Sequence, residues 1–337
     1  MKTLFTLIGG LLAALAGWAA PPTITTFTPA SAAPGMTLTI TGTNFTGVSA
    51  VSIGGVAATS YTVVSATQIT AVVPATASGS VQVTTAEGTA TRAGFIYVPT
   101  SGIITDFRGF WSTTAAAPNT TVPDSSHQLL AFTHNGITYS TGVNDAVLTN
   151  QGVAFTPGVF RALPVAGITG TTSAGATYLA LARKVDGSAA TGNTPAVSSF
   201  SVRSVLTDGV HGLDLGTGVT NLPATAVLTF QVFNINAARI ADSEPDIILT
   251  QIAQPVTGND VYSFIDAAGT IVGNSFTQDM TLLPRFGSYD LDLFNLTPNT
   301  PYNRATAYSI NTANTNREIR LIGLRLSDFG ITAGNVG

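Results

Sequence analysis

The chain has no cysteine among its 337 residues. That absence excludes disulfides, thiolate metal sites and thiol nucleophiles, and leaves stability to buried apolar surface or bound ions. Charge is scarce as well: Asp, Glu, Lys and Arg together make up 9% of the sequence, against about 25% in ordinary domains. Lysine is nearly missing, with only Lys2 and Lys184, and loss of Lys2 with a leader moves the net charge from −4 to −5. An acidic balance with scattered arginines argues against nucleic acid as a ligand. Three histidines, His127, His134 and His211, are too few and too dispersed for a spaced metal motif. Neither a Gly-x-Ser-x-Gly elbow nor a phosphate-cradling Gly-x-x-x-x-Gly-Lys occurs. No apolar run beyond the first twenty residues is long enough for a membrane helix.

That first stretch has a recognisable grammar. Lys2 supplies a short positive region, residues 4–16 are apolar, and the small residues Gly17 and Ala19 suit the positions before a signal-peptidase cut. A secretory signal is therefore predicted over 1–19, and the protein is expected to be secreted or held on the outer cell surface. Export without disulfides fits a bacterial surface.

From residue 22 the pattern is that of strands. Leu38 and Ile40 alternate with Thr37, Thr39 and Thr41, and Val81 and Val83 alternate with Ser80, Gln82 and Thr84. A period of two puts one face on a core and one in water. Gly54-Gly55 lies between apolar runs as a turn, and Pro29, Pro34 and Pro74 mark strand ends. The strings Pro22-Thr-Ile24-Thr-Thr-Phe27-Thr-Pro29, Leu38-Thr-Ile40-Thr-Gly42-Thr-Asn44-Phe45, Val51-Ser-Ile53-Gly54-Gly55-Val56-Ala57 and Phe95-Ile-Tyr97 resemble the IPT/TIG family of immunoglobulin-like domains. The resemblance covers residues 22–98. It implies a β-sandwich used as a spacer or interaction module.

The remainder, 103–337 after a linker at 99–102, shows no sustained helical period. Short apolar runs such as Val227-Leu-Thr-Phe-Gln-Val-Phe233 and Ile319-Arg-Leu-Ile-Gly-Leu-Arg-Leu326 alternate with turn pairs such as Asn135-Gly136, Asp186-Gly187 and Asp208-Gly209. The expected fold is all-β: an Ig-like domain over 20–98, then a larger jelly-roll-like β-sandwich. The strings from Leu129 to Asp145, from Asp242 to Ile252 and from Leu326 to Ile331 resemble adhesin-like modules of bacterial surface proteins. In such proteins the chain commonly runs on to a sorting domain, and none is recognisable before Gly337. A fragment and a protein released without an anchor are the two readings of that end.

Chemistry has few places to sit. Asp242, Glu244 and Asp246 put three acids within five residues, a hard-oxygen set suited to Ca2+; a solvated loop turned by Pro245 is the plainer reading. Ca2+ is the one cofactor considered. Asp290 and Asp292 share a strand face, which a glycosidase pair or an ordinary strand edge would both produce. Phe107-Arg-Gly-Phe110-Trp111, Tyr139, Tyr289, Tyr302 and Tyr308 could form a sugar platform, with Trp111 and Tyr289 as the nominated rings; core packing, or for Trp111 a plug at the domain joint, competes with that role. The expectation is a non-enzymatic adhesin-like binding protein whose large domain takes a glycan or an extracellular protein. The alternatives are a self-associating component of an extracellular layer or fibre and, last, a secreted carbohydrate-active enzyme.

Overall fold

The computed structural model describes residues 20–76, 78–170, 178–182, 202–220, 222, 225–233, 235–252, 258–295 and 315–336. The leader at 1–19, Tyr302 and Tyr308 lie outside them. The architecture is nearly all β.

The amino-terminal module contains β1 (Thr23–Thr28), β2 (Ser31–Ala32), β3 (Thr37–Thr43), β4 (Ala50–Ile53), β5 (Val56–Ala57), β6 (Ser60–Ser65), β7 (Gln68–Val72), β8 (Gly79–Thr85) and β9 (Gly88–Tyr97). They form two sheets, ordered β1-β3-β7-β6 and β2-β9-β8-β4-β5. The alternation read from sequence is the alternation found. Leu38 and Ile40 of β3 and Val81 and Val83 of β8 point inward, and Phe45, Ile53, Ile69 and Phe95 fill the space between the sheets. Gly54 and Gly55 both adopt positive φ at the β4–β5 turn, where a side chain would be strained. Gly42 serves close packing and not a turn: it lies inside β3, where a Cβ would come within 1.8 Å of the Thr23 carbonyl oxygen.

The larger region adds β10 (Thr100–Thr105), β11 (Trp111–Thr114), β12 (Leu129–His134), β13 (Ile137–Ser140), β14 (Val165–Thr169), β15 (Tyr178–Ala182), β16 (Thr217–Thr220) and β17 (Val227–Phe230). It continues with β18 (Ile247–Ile252), β19 (Asn259–Ile265), β20 (Ile271–Asp279), β21 (Gly287–Asn295) and β22 (Thr315–Leu324). Two short helices, α1 (Asp145–Asn150) and α2 (Val202–Val205), interrupt the strands. A four-stranded sheet, β11-β10-β12-β13, faces a five-stranded one, β16-β15-β21-β22-β18, while β14–β17 and β19–β20 form separate pairs. Ile103, Trp111, Leu129 and Phe132 from the first sheet pack with Tyr289, Ile319 and Leu321 from the second. The large domain is thus a two-layer sandwich with two added strand pairs, of which β19–β20 is a hairpin.

Strand β22 explains its own sequence. Ile319 and Leu321 enter that core, whereas Ile322 and Leu324, on the opposite face, join a second one with Met280, Leu283, Leu326 and Phe329. A strand covered on both faces reads as a continuous apolar run. Residues Tyr262, Phe264, Val272 and Phe276 of the β19–β20 hairpin close this second core.

The predicted linker shrinks on inspection. Thr100 already belongs to β10, is fully buried, and accepts a hydrogen bond from the Gly323 amide at 2.8 Å. Val98 belongs to the second core, and Ala33 to the first with Met36 packed beside it. The Ser31 hydroxyl donates to the Leu282 carbonyl, and the Tyr97 hydroxyl donates to Asn135 Oδ1 at 2.8 Å. Residues 99–102 are a strand start sealed between two packed modules.

Candidate functional site

An open cleft of about 340 Å³ lies where β10 turns into β11. Asp106 fixes the turn: its carboxylate accepts from the Gln128 amide at 2.6 Å, and its carbonyl accepts from the Gly109 amide at 2.8 Å. Burial raises the Asp106 pKa, against the pull of the Gln128 amide and of neighbouring His127. Phe107 drops inward and is buried. Arg108 and Gly109 follow with φ of 50° and 91°, two successive left-handed residues that throw the Arg108 side chain outward. Its guanidinium carbon sits 5.0 Å from the Phe107 ring centroid and caps that ring. The chain then re-enters the sheet, leaving Phe110 half-buried and Trp111 in the core.

The opposite wall comes from residues 119–121. Asn119 Nδ2 donates to the Ser112 carbonyl, its Oδ1 accepts from the Thr121 amide, and the Trp111 indole donates to the Thr121 carbonyl, at 2.9, 2.9 and 3.1 Å. Arg108, Phe110, Ser112, Asn119 and Thr121 thus line the cleft, with Phe107 and the edge of Trp111 below. The Ser112 and Thr121 side chains are exposed.

Beneath this floor sits His127, wholly buried, with its ring edge-on to Phe107 and Tyr289 at centroid distances of 6.2 and 6.1 Å. Its Nδ1 lies 2.9 Å from the Ser125 carbonyl, and its Nε2 has no hydrogen-bond partner. Asp214 accepts from the backbone amides of His127 and Gly216 at 3.0 and 2.7 Å. Burial depresses the His127 pKa, with Ser125, Asp214 and Asp106 opposing it, and raises that of Tyr289. This group is shut away from solvent, and among the described residues Nε2 meets no serine hydroxyl to activate.

The nominated platform rings are corrected by their packing. Trp111 is 4% exposed and Tyr289 0%, both in one core cluster with Phe107 and Phe132. A sugar needs an open ring face, and neither has one; Phe110, from the same aromatic string, is the ring beside the cleft. Tyr139 is buried and stacked on Phe132.

The acidic loop is corrected too. Arg239 takes both Asp242, at 3.1 Å, and Glu244, and Asp242 also accepts from the Glu244 amide at 2.9 Å. Asp246 turns away to accept from the Leu326 amide at 2.8 Å. Arg239 thus engages two of the three carboxylates, and among the described residues no three His, Asp or Glu converge as metal ligands. These residues do not fit Ca2+. Asp290 accepts from Asn316 Nδ2 at 3.3 Å, while the Asp292 side chain lies outside the described ones. Among the described residues, no helix is long and apolar enough to cross a membrane.

No curated protein matches the chain. Among solved structures, a stretch covering 26% of this chain and 23% of the other is similar to an auxiliary nutrient binding protein from Bacteroides thetaiotaomicron, at 22% identity and TM-score 0.21. An SGBP-B from a complex xyloglucan utilization locus in Bacteroides uniformis is similar over 91% of this chain and 73% of its own, at 13% identity and TM-score 0.27. A third structure, described as with xylogluco-oligosaccharide, gives 13% identity and TM-score 0.23 over 88% of this chain and 60% of its own. The chain therefore spans about a quarter of the first neighbour and under two thirds of the third. The family comparison is sharper and falls on the module whose two sheets are described above: residues 22–97 of this chain are an IPT/TIG domain.

Proposed function

We propose that the chain is a carbohydrate-binding protein acting outside the cell, with the TIG domain as a fixed mount and the large sandwich as the binding domain. The observation that carries this reading is the cleft over residues 107–121, where the Phe110 ring stands beside the side chains of Arg108, Ser112, Asn119 and Thr121. An apolar ring with directional polar groups around it is what a pyranose requires, since sugars present C–H faces and hydroxyl edges. The site is shallow and open, which suits an internal stretch of a polymer. The leader-like sequence at 1–19 supports the compartment.

A panel of soluble polysaccharides tests the reading on the full chain and on Phe110→Ala. The parent should bind at least one, and Phe110→Ala should weaken that binding about tenfold, the scale of one lost stacking contact. A blank panel would remove the reading. It would shift weight to self-association, which the outward face of β19–β20 favours through Val261, Ile265 and Ile271, all at least half exposed.

A further inference from the structure

We propose that the cleft selects an anionic saccharide, with Arg108 binding its carboxylate or sulfate group; this deepens the carbohydrate-binding reading and rests on it. Four observations meet at that residue. Arg108 is the one charged side chain among those lining the cleft. It makes no ion pair among the described residues, which it shares with Arg92, Arg161, Arg203 and Arg317, but none of those four lines the cleft. Its guanidinium is already oriented by the Phe107 ring 5.0 Å away. A guanidinium held over a ring keeps N–H donors that the ring does not use, and a planar carboxylate can take two of them.

The backbone adds the fourth. Arg108 holds a left-handed conformation (φ 50°) that a glycine would adopt without strain, and Gly109 follows it in the same region. The turn needs no side chain at 108, so the one present there spends conformational energy on presenting a cation. The nearest acid in sequence does not neutralise it, because the Asp106 carboxylate is turned to the Gln128 amide. Around the cation, the exposed Ser112 and Thr121 hydroxyls make no hydrogen bond within the protein among the described residues, which leaves them for the sugar. In a chain of net charge −4, recognition of an anion must be this local.

The test measures binding of the full chain to polygalacturonate, to chondroitin sulfate and to neutral xyloglucan, in low salt and at 0.5 M NaCl, roughly fifty- to hundredfold more screening ions than the low-salt buffer. At least one anionic polymer should bind about tenfold or more tightly than the neutral one, the worth of a charge-assisted pair. Arg108→Gln should abolish that preference and Arg108→Lys should restore only part of it, since an ammonium cannot form the bidentate contact. Arg108→Gly keeps the experiment sound: it should melt no lower than the parent while losing anion binding. Arg92→Gln, at an exposed arginine on the TIG domain, is the control for loose polyanion adsorption. Which anionic polymer responds separates uronate from sulfate. Neutral binding with Arg108→Gln unchanged overturns this inference and leaves the carbohydrate reading standing. Equal losses in Arg92→Gln and Arg108→Gln overturn it as nonspecific charge. A blank panel overturns both readings.

Discussion

At the scale of residues, burial decides more than residue type. His134 is 3% exposed, its Nδ1 has no partner, and burial holds its pKa down to about 4, with Arg325 adding to the effect and Asp328 opposing it. His127 is depressed for the same first reason. A histidine that stays neutral when folded but protonates near 6.5 when unfolded gives the unfolded state more bound protons between those values. Stability is therefore full above about pH 6.5 and falls as pH drops towards 4, by about 3 kcal/mol for His134. Urea unfolding at pH 7 and pH 4.5 checks this; His134→Gln should flatten the slope, and an unchanged slope would show that His134 does not titrate so. None of this was legible in sequence, where His134 is one of three dispersed histidines and stands beside the turn pair Asn135-Gly136. The aromatic string was half legible. Phe107, Phe110 and Trp111 of that string line the cleft, but period two places Trp111 with Thr113 and Ala115 on one face and Phe110 with Ser112 and Thr114 on the other, and composition does not say which face is core. Only the sheet opposite, through Phe286, Tyr289 and Ile319, decides it.

At the scale of elements, local pattern was readable wherever one face met water. The TIG strands were, because threonine alternates with valine, leucine and isoleucine there. Strand β22 was readable only as an apolar run with no one core face, because both its faces are covered and the alternation disappears. The acidic loop failed for another reason. Its three carboxylates were read as a set, but Arg239 precedes Asp242 by only three residues and folds back over it. Asp246 instead serves the backbone at Leu326, eighty positions away, which no local reading supplies. The melting temperature should accordingly be the same in 5 mM CaCl2 as in EGTA, a concentration about fivefold above the weakest calcium modules. Asp246→Ala should lower it equally in both, having left the Leu326 amide unpaired. A calcium-dependent rise in the parent that disappears in Asp242→Ala would reinstate the loop as a site.

At the scale of the whole molecule, the joint matters most. The turn-like composition of Pro99-Thr-Ser-Gly102 reads as a linker, whereas Thr100 already lies in β10. The contacts that seal it, Val98 with Ile322 and Leu324 and Thr100 with Gly323, join positions more than two hundred residues apart. Calorimetry should then show one cooperative transition, and Thr100→Ala, which strips the Gly323 amide of its partner, should lower it by a degree or so, on the order of 1 kcal/mol over a chain this size. Two separated transitions would mean that the TIG domain melts alone. A chain that leaves one module and enters the next without slack cannot sweep a volume around its point of attachment. It forgoes the reach that a flexible tether would give and, on the binding role proposed above, would lose no tether entropy on meeting a polymer. Such a molecule keeps its large sandwich at a set bearing and distance from its amino-terminal module, in the manner of a bracket.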